Sequence, residues 1–119
     1  WDAMQVWDVC RAIQVIKETS GLEAATIHLE SAGAQAGVAL YAGVFSHAVD
    51  EIHLNNPTRT HRHGPHFLNV LRYFDMPQAI ALAFPRKVVI HDSDASAWAW
   101  SKSVAKLFGD TNTPLELAD

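Results

Sequence analysis

Residues 26–42 constrain the fold more than any other segment of this chain. They read TIHLESAGAQAGVALYA, a short apolar stretch that passes through a glycine into a run of small residues. The apolar stretch predicts a strand, and the small residues after it predict a helix that packs closely on that strand. We therefore expect a sharp strand-to-helix turn within this segment.

The rest of the chain continues the alternation of helix and strand. Apolar runs predict strands near residues 25–29, 50–54 and 87–91. Helical spacing predicts helices over residues 2–19, 33–46, 67–74, 78–83 and 96–108. This order predicts an α/β fold, a three-layer sandwich in which helices cover a parallel sheet. Residues 1–109 would form this domain, and residues 110–119 a flexible tail.

Three strands make a thin sheet with two long unpaired edges, which proteins normally cover. The sequence also starts at Trp1 instead of Met, which indicates a processed product or a piece of a longer protein. We therefore expect another chain or a missing N-terminal half to complete the sheet, or a homo-oligomer to form.

Charge and hydropathy exclude several classes of partner. The net charge is −4, and the nine Lys and Arg residues are spread singly, so no basic stripe is present for nucleic acid. The apolar runs are far shorter than the ~20 residues that span a bilayer. We expect neither a nucleic-acid nor a membrane partner. The single cysteine, Cys10, excludes an intrachain disulfide.

The turn in residues 26–42 has the form of a damaged nucleophile elbow. An elbow of the Gly-x-Ser-x-Gly type needs small residues around a nucleophile on a strained turn. In one register Ser31 is the nucleophile and Gly33 is retained, but Leu29 replaces the first glycine. In the other register Gly33 and Gly37 are both retained, but Gln35 replaces the nucleophile. Ser31 can attack a carbonyl in the first register, whereas the second is inactive.

Four segments together resemble the C-terminal half of α/β-hydrolases of the acetyl-xylan-esterase-like group. They are WDVCRAI at 7–13, the elbow segment, LRYFDMP at 71–77 and FPRKVVIHDSD at 84–94. The resemblance extends over about residues 1–108. It implies the second half of an α/β-hydrolase sheet and an esterase that acts on ester-linked carbohydrate or similar small esters.

The resemblance also implies a serine, acid and histidine triad. It places the nucleophile at Ser31, or Gln35 in the other register, and the acid at Asp94, with Asp92 as the near alternative. The N–H of Ala32 would be one oxyanion donor. Residues 95–119 contain no histidine, so the triad is incomplete in this chain. We expect a degenerate or partial enzyme, or a non-catalytic binding or structural subunit of a larger assembly.

Structural roles compete with these catalytic ones. Ser31 can simply be a small residue at a tight turn, and Asp94 can cap the last helix. His61, His63 and His66 form a cluster of metal-like composition, since imidazoles suit zinc, copper or nickel. No cysteine or carboxylate stands beside them at motif spacing, so we predict a solvated loop with no metal and no cofactor. The remaining histidines are predicted to be single core or interface residues: His28, His47, His53 and His91.

Overall fold

A computed structural model describes residues 2–67, 75–109 and 113–118 of the chain. The helices are α1 (Asp2–Glu18), α2 (Ala34–Phe45), α3 (Met76–Leu82) and α4 (Ala99–Ala105), and the strands are β1 (His28–Ala32), β2 (Glu51–Asn55), β3 (Lys87–His91) and β4 (Leu115–Ala118). Short 3-10 turns cover His61–His63, Ala95–Trp98 and Lys106–Phe108. The helix predicted at 67–74 falls, apart from Phe67, outside the described residues. None of the described helices is long and apolar enough to cross a membrane.

The four strands form one parallel sheet in the order β1-β2-β3-β4. The predicted α/β class and parallel pairing are therefore confirmed. The sheet has one strand more than predicted, because β4 lies in the segment expected to be a flexible tail. Leu115 of β4 pairs with Val88, and the Val88 N–H donates to the carbonyl of Pro114 at 2.7 Å. The tail prediction is wrong for residues 115–118, since Leu115 is buried in the hydrophobic core and the partly buried Leu117 packs against it.

The described helices lie on one face of the sheet. The strands lie in the sheet in the same order as in the sequence. Because connections between parallel strands are right-handed, each connecting helix then lies on the same side of the sheet. Gly43 of α2 lies so close to β2 that a Cβ there would stand 2.4 Å from Ile52 Cδ1. α1 packs outside α2, and α4 packs beside α3. The described part of the chain therefore has two layers, one of helices and one of strands, instead of the predicted three.

Alternation along the strands places most apolar side chains on the face toward the helices and most polar side chains on the opposite face. Ile52, Leu54, Val88 and Ile90 are buried in one core with residues of α2 and α3. The opposite side, here called the polar face, carries the apolar Val89, which is 3% exposed, and these polar residues of the four strands: His28, Glu30, Glu51, His53, Asn55, Lys87, His91 and Glu116. A parallel sheet normally has both faces covered and apolar, so this polar face is unusual.

Two charged residues join the helices to the sheet and loops. The half-buried Arg86 guanidinium donates to the carbonyls of Gly43, Val44 and Ser46, at the end of α2. Burial lowers the pKa of Arg86. Asp75 forms a capping box with Gln78 at the start of α3. Both residues therefore have contacts that stabilise the fold.

Candidate functional site

The turn between β1 and α2 is made by Gly33. Its φ of 60° and ψ of −135° belong to a region that favours glycine. The Gly33 N–H donates to the carbonyl of Asn55 at 2.9 Å, which ties the turn to the end of β2. A Cβ at this position would meet no atom within 4 Å. A side chain placed here would therefore point into open space above the carboxyl ends of the strands.

Neither predicted nucleophile position coincides with this turn. Ser31 lies within β1, where it pairs with Leu54 and is half-buried. Ala32, the predicted oxyanion donor, is the last residue of β1 and pairs with Asn55. Gln35 is exposed on the first turn of α2. Both predicted registers of the elbow are therefore wrong. Strand β1 ends three residues later than the apolar pattern indicated, because residues 30–32 still pair with β2.

The candidate acids follow β3 and lie at the same carboxyl edge of the sheet. The Asp94 side chain accepts from the Ser96 N–H at 3.0 Å and caps the 3-10 turn Ala95–Trp98. The hydrogen bonds from Ser96 lower the pKa of this exposed carboxylate. Asp92 has a positive φ of 53°, and its N–H donates to the carbonyl of Ala118. The capping role predicted for Asp94 is confirmed, while its catalytic role stays a prediction.

The three loop histidines are not brought together as metal ligands. His61 is 2% exposed, whereas His63 and His66 are exposed. His61 Nδ1 lies 2.8 Å from the carbonyl of Pro65, and Nε2 lies 2.7 Å from the Tyr41 hydroxyl. A carbonyl can only accept, so Nδ1 carries the proton and Nε2 accepts from Tyr41. Burial, with a further contribution from Asp75, raises the pKa of Tyr41. This buried pair is structural.

The polar face brings together three residues that sequence reasoning had left apart. One ligand atom each from His28, Glu51 and His53 lies within 4.8 Å of the other two. Glu51 Oε1 is 2.8 Å from His53 Nε2, and Glu51 Oε2 is 3.8 Å from His28 Nε2. Among the described residues, this is the group of three His, Cys, Asp or Glu side chains that could hold a metal ion.

His91 extends this group across the sheet. His53 Nδ1 lies 3.2 Å from His91 Nε2, and the two rings stack with centroids 5.4 Å apart. The prediction that His28, His53 and His91 are scattered singly is therefore wrong. His28 is the first residue of β1, His53 the middle residue of β2 and His91 the last residue of β3. All three lie on the polar face as diagonal neighbours, because the register pairs His28 with Glu51 and His91 with Asn55, each two residues from His53. The alternation of Glu51 and His53 in EIHLN is the signal that could have indicated this face.

Comparisons with protein-family models, with curated proteins and with solved structures each find no match to this chain. Function is therefore inferred from the chemistry of the described residues.

Proposed function

We propose that this chain is a hydrolase-like α/β domain that lacks a nucleophile and serves as a non-catalytic binding or structural subunit of a larger assembly. The observation that carries this proposal is Gly33. In an elbow the nucleophile occupies the strand-to-helix turn, with its reactive atom exposed at the top of the sheet. Glycine at this turn supplies neither a hydroxyl nor a thiol.

The other candidate residues do not replace the missing nucleophile. A serine hydroxyl needs a base within about 2.6–3.2 Å to become reactive. Ser31 lies in β1 on the face of Leu29, which points toward α2. The buried His61 is already engaged at both ring nitrogens, so it has no free nitrogen to act as that base.

Exposed apolar residues support the second half of the proposal, a role in an assembly. Trp7 is 64% exposed and Phe45 68% exposed. They line a cavity of about 410 Å³ between α1 and α2, together with Val6 and Cys10. A contiguous apolar surface of this kind is typical of protein contacts. We expect a further protein segment, in the same polypeptide or another, to cover it.

Active-site labelling tests the absence of a nucleophile. We expect no covalent adduct with a fluorophosphonate probe and no p-nitrophenyl acetate hydrolysis above that of free imidazole at the same concentration. Ser31→Ala should be indistinguishable from the wild type in both assays. An adduct at Ser31, or hydrolysis that Ser31→Ala abolishes, would contradict the proposal.

Cysteine reactivity tests the position of the turn directly. In a Cys10→Ala background, Gly33→Cys should react rapidly with iodoacetamide, because its side chain would enter open space. Ser31→Cys is the matched control and should react more slowly, since residue 31 is half-buried in β1. Equal or reversed rates would place the exposed position of the turn elsewhere.

Light scattering on the full 119-residue chain tests the assembly role. A dimer or higher oligomer would identify a second copy as the covering segment. Binding to another part of the natural polypeptide would identify that part instead. A well-folded monomer of 13.1 kDa that binds neither would contradict an assembly role.

A further inference from the structure

The polar face holds two imidazoles and one carboxylate in a nearly convergent arrangement. Parallel register places His28 opposite Glu51, and alternation places His53 two residues further along β2 on the same face. Glu51 stands between the two rings, with one oxygen toward each. His28 is exposed, whereas Glu51 and His53 are half-buried. A solvent ion can therefore reach all three side chains.

We propose that His28, Glu51 and His53 bind a divalent transition-metal ion of the zinc type. Two imidazole nitrogens and a carboxylate oxygen are a ligand set that zinc accepts, with a fourth position left for water. Zinc–nitrogen bonds of about 2.0–2.1 Å place neighbouring ligand atoms about 3.3 Å apart. The three ligand atoms lie within 4.8 Å of one another. Side-chain rotation, chiefly of the exposed His28, is enough to close this difference.

His91 positions the central ligand. When His53 Nδ1 carries the proton, it donates to His91 Nε2 across their 3.2 Å separation, and Nε2 of His53 is then available to the metal. A second hydrogen bond of this kind fixes the tautomer and the ring orientation of a metal-binding histidine. Before metal binding, the Glu51 carboxylate accepts a hydrogen bond from His53 Nε2. As the metal–nitrogen bond forms, this proton leaves to solvent, and Nδ1 takes up one proton from solvent if it does not already carry one, so that the ring remains a neutral imidazole.

Lys87 is a cation that competes for Glu51. Its Nζ lies 4.0 Å from Glu51 Oε1 but only 3.2 Å from Glu116 Oε2. The lysine can therefore keep its contact with Glu116 when a metal takes Glu51. Glu30, also on the polar face, accepts a hydrogen bond from Asn55 at 3.2 Å.

Calorimetric titration of the full chain with Zn²⁺ tests this proposal, which does not depend on the absence of esterase activity. We expect one ion per chain. His53→Gln and Glu51→Gln should each weaken binding by at least about tenfold, and His91→Phe by about tenfold, as expected for a group that positions a ligand. Because these positions lie on a solvated face, far-ultraviolet circular dichroism should show that the variants remain folded.

The double variant His63→Gln/His66→Gln is the matched control, since it removes two exposed imidazoles from the loop. It should bind Zn²⁺ as the wild type does. The absorption spectrum of bound Co²⁺ supplies an independent readout, and intense visible bands of four-coordinate cobalt should disappear in Glu51→Gln. Loss of binding in the loop variant, or wild-type binding in both His53→Gln and Glu51→Gln, would overturn the proposal.

Discussion

Each side of the sheet carries a histidine whose two ring nitrogens both have partners. The two histidines differ in burial and in the kind of partner they contact. His61, on the helix side, is 2% exposed and is held by a backbone carbonyl and the buried Tyr41 hydroxyl. His53, on the polar face, is half-buried and contacts Glu51 and His91, which are themselves reachable by solvent. The buried partners of His61 hold its ring in one tautomer and one orientation. The solvent-accessible partners of His53 can instead give way to a metal ion.

The largest effect on the free energy of unfolding is expected at Ile52. Its neighbour His53, which points to the opposite face of the sheet, serves as the comparison. Ile52 is fully buried, so Ile52→Ala should lower the free energy of unfolding by about 2–5 kcal/mol. His53→Ala should lower it by about 1 kcal/mol or less. Urea unfolding followed by circular dichroism measures both. Equal losses would mean that the polar face is as tightly packed as the helix side.

Removing one hydroxyl tests whether the buried histidine is structural. Tyr41→Phe leaves His61 Nε2 without its Tyr41 donor, which should cost about 1–3 kcal/mol of unfolding free energy. A change below about 0.5 kcal/mol, well under that penalty, would contradict this assignment.

The same tyrosine predicts an alkaline effect. The pKa of Tyr41 is raised in the fold by burial, so the neutral phenol stabilises the protein fully below the ordinary pKa of about 10. That stabilisation is lost as the pH rises above about 10 toward the folded-state pKa. Unfolding measured at about pH 9 and about pH 11 should show the loss in the wild type and a smaller one in Tyr41→Phe.

Asp75 predicts the opposite pH dependence on the helix side. Burial alone would raise its pKa, but hydrogen bonds from Thr60, His61 and Met76 outweigh burial and lower it. The carboxylate therefore contributes stability above its ordinary pKa of about 3.9, and this is lost as the pH falls below that value. Between about pH 5 and about pH 3, Asp75→Asn should lose less stability than the wild type. Thr60→Val should be intermediate, and identical profiles for all three would contradict this account.

The smallest effect is expected from the exposed ion pairs of the polar face. Lys87 and Glu116 have side chains 49% and 54% exposed, so Lys87→Met should change the unfolding free energy by about 0.5 kcal/mol or less. The same variant should bind Zn²⁺ at least as tightly as the wild type, because a competitor for Glu51 is removed. Weaker binding in Lys87→Met would show that the lysine helps to hold the ligands.

Two segments on which the predicted resemblance to hydrolases was based contain residues with structural contacts. Asp75 joins the loop at Thr60 and His61 to the start of α3, and Arg86 closes the end of α2. Such contacts support the geometry of a fold whether or not it is catalytic.

Local pattern was sufficient to predict the parallel α/β architecture. The apolar spacing of α1 and the apolar runs of β2 and β3 are read directly from neighbouring residues, because periodicity follows from local geometry. The end of β1 was not predictable in this way, since residues 30–32 become strand only by pairing with His53, Leu54 and Asn55. The placement of β4 depends on the same long-range pairing.

The sequence by itself determined the succession of helices and strands from α1 to β3 and the small-residue helix after β1. Only the tertiary structure decided that Gly33 makes the turn, that the described helices share one side of the sheet, and that His28, Glu51, His53 and His91 meet on the other. The physical reason is that register and crossover direction join residues far apart in the chain. The spacing of residues along the chain does not indicate which side chains strand pairing brings into contact.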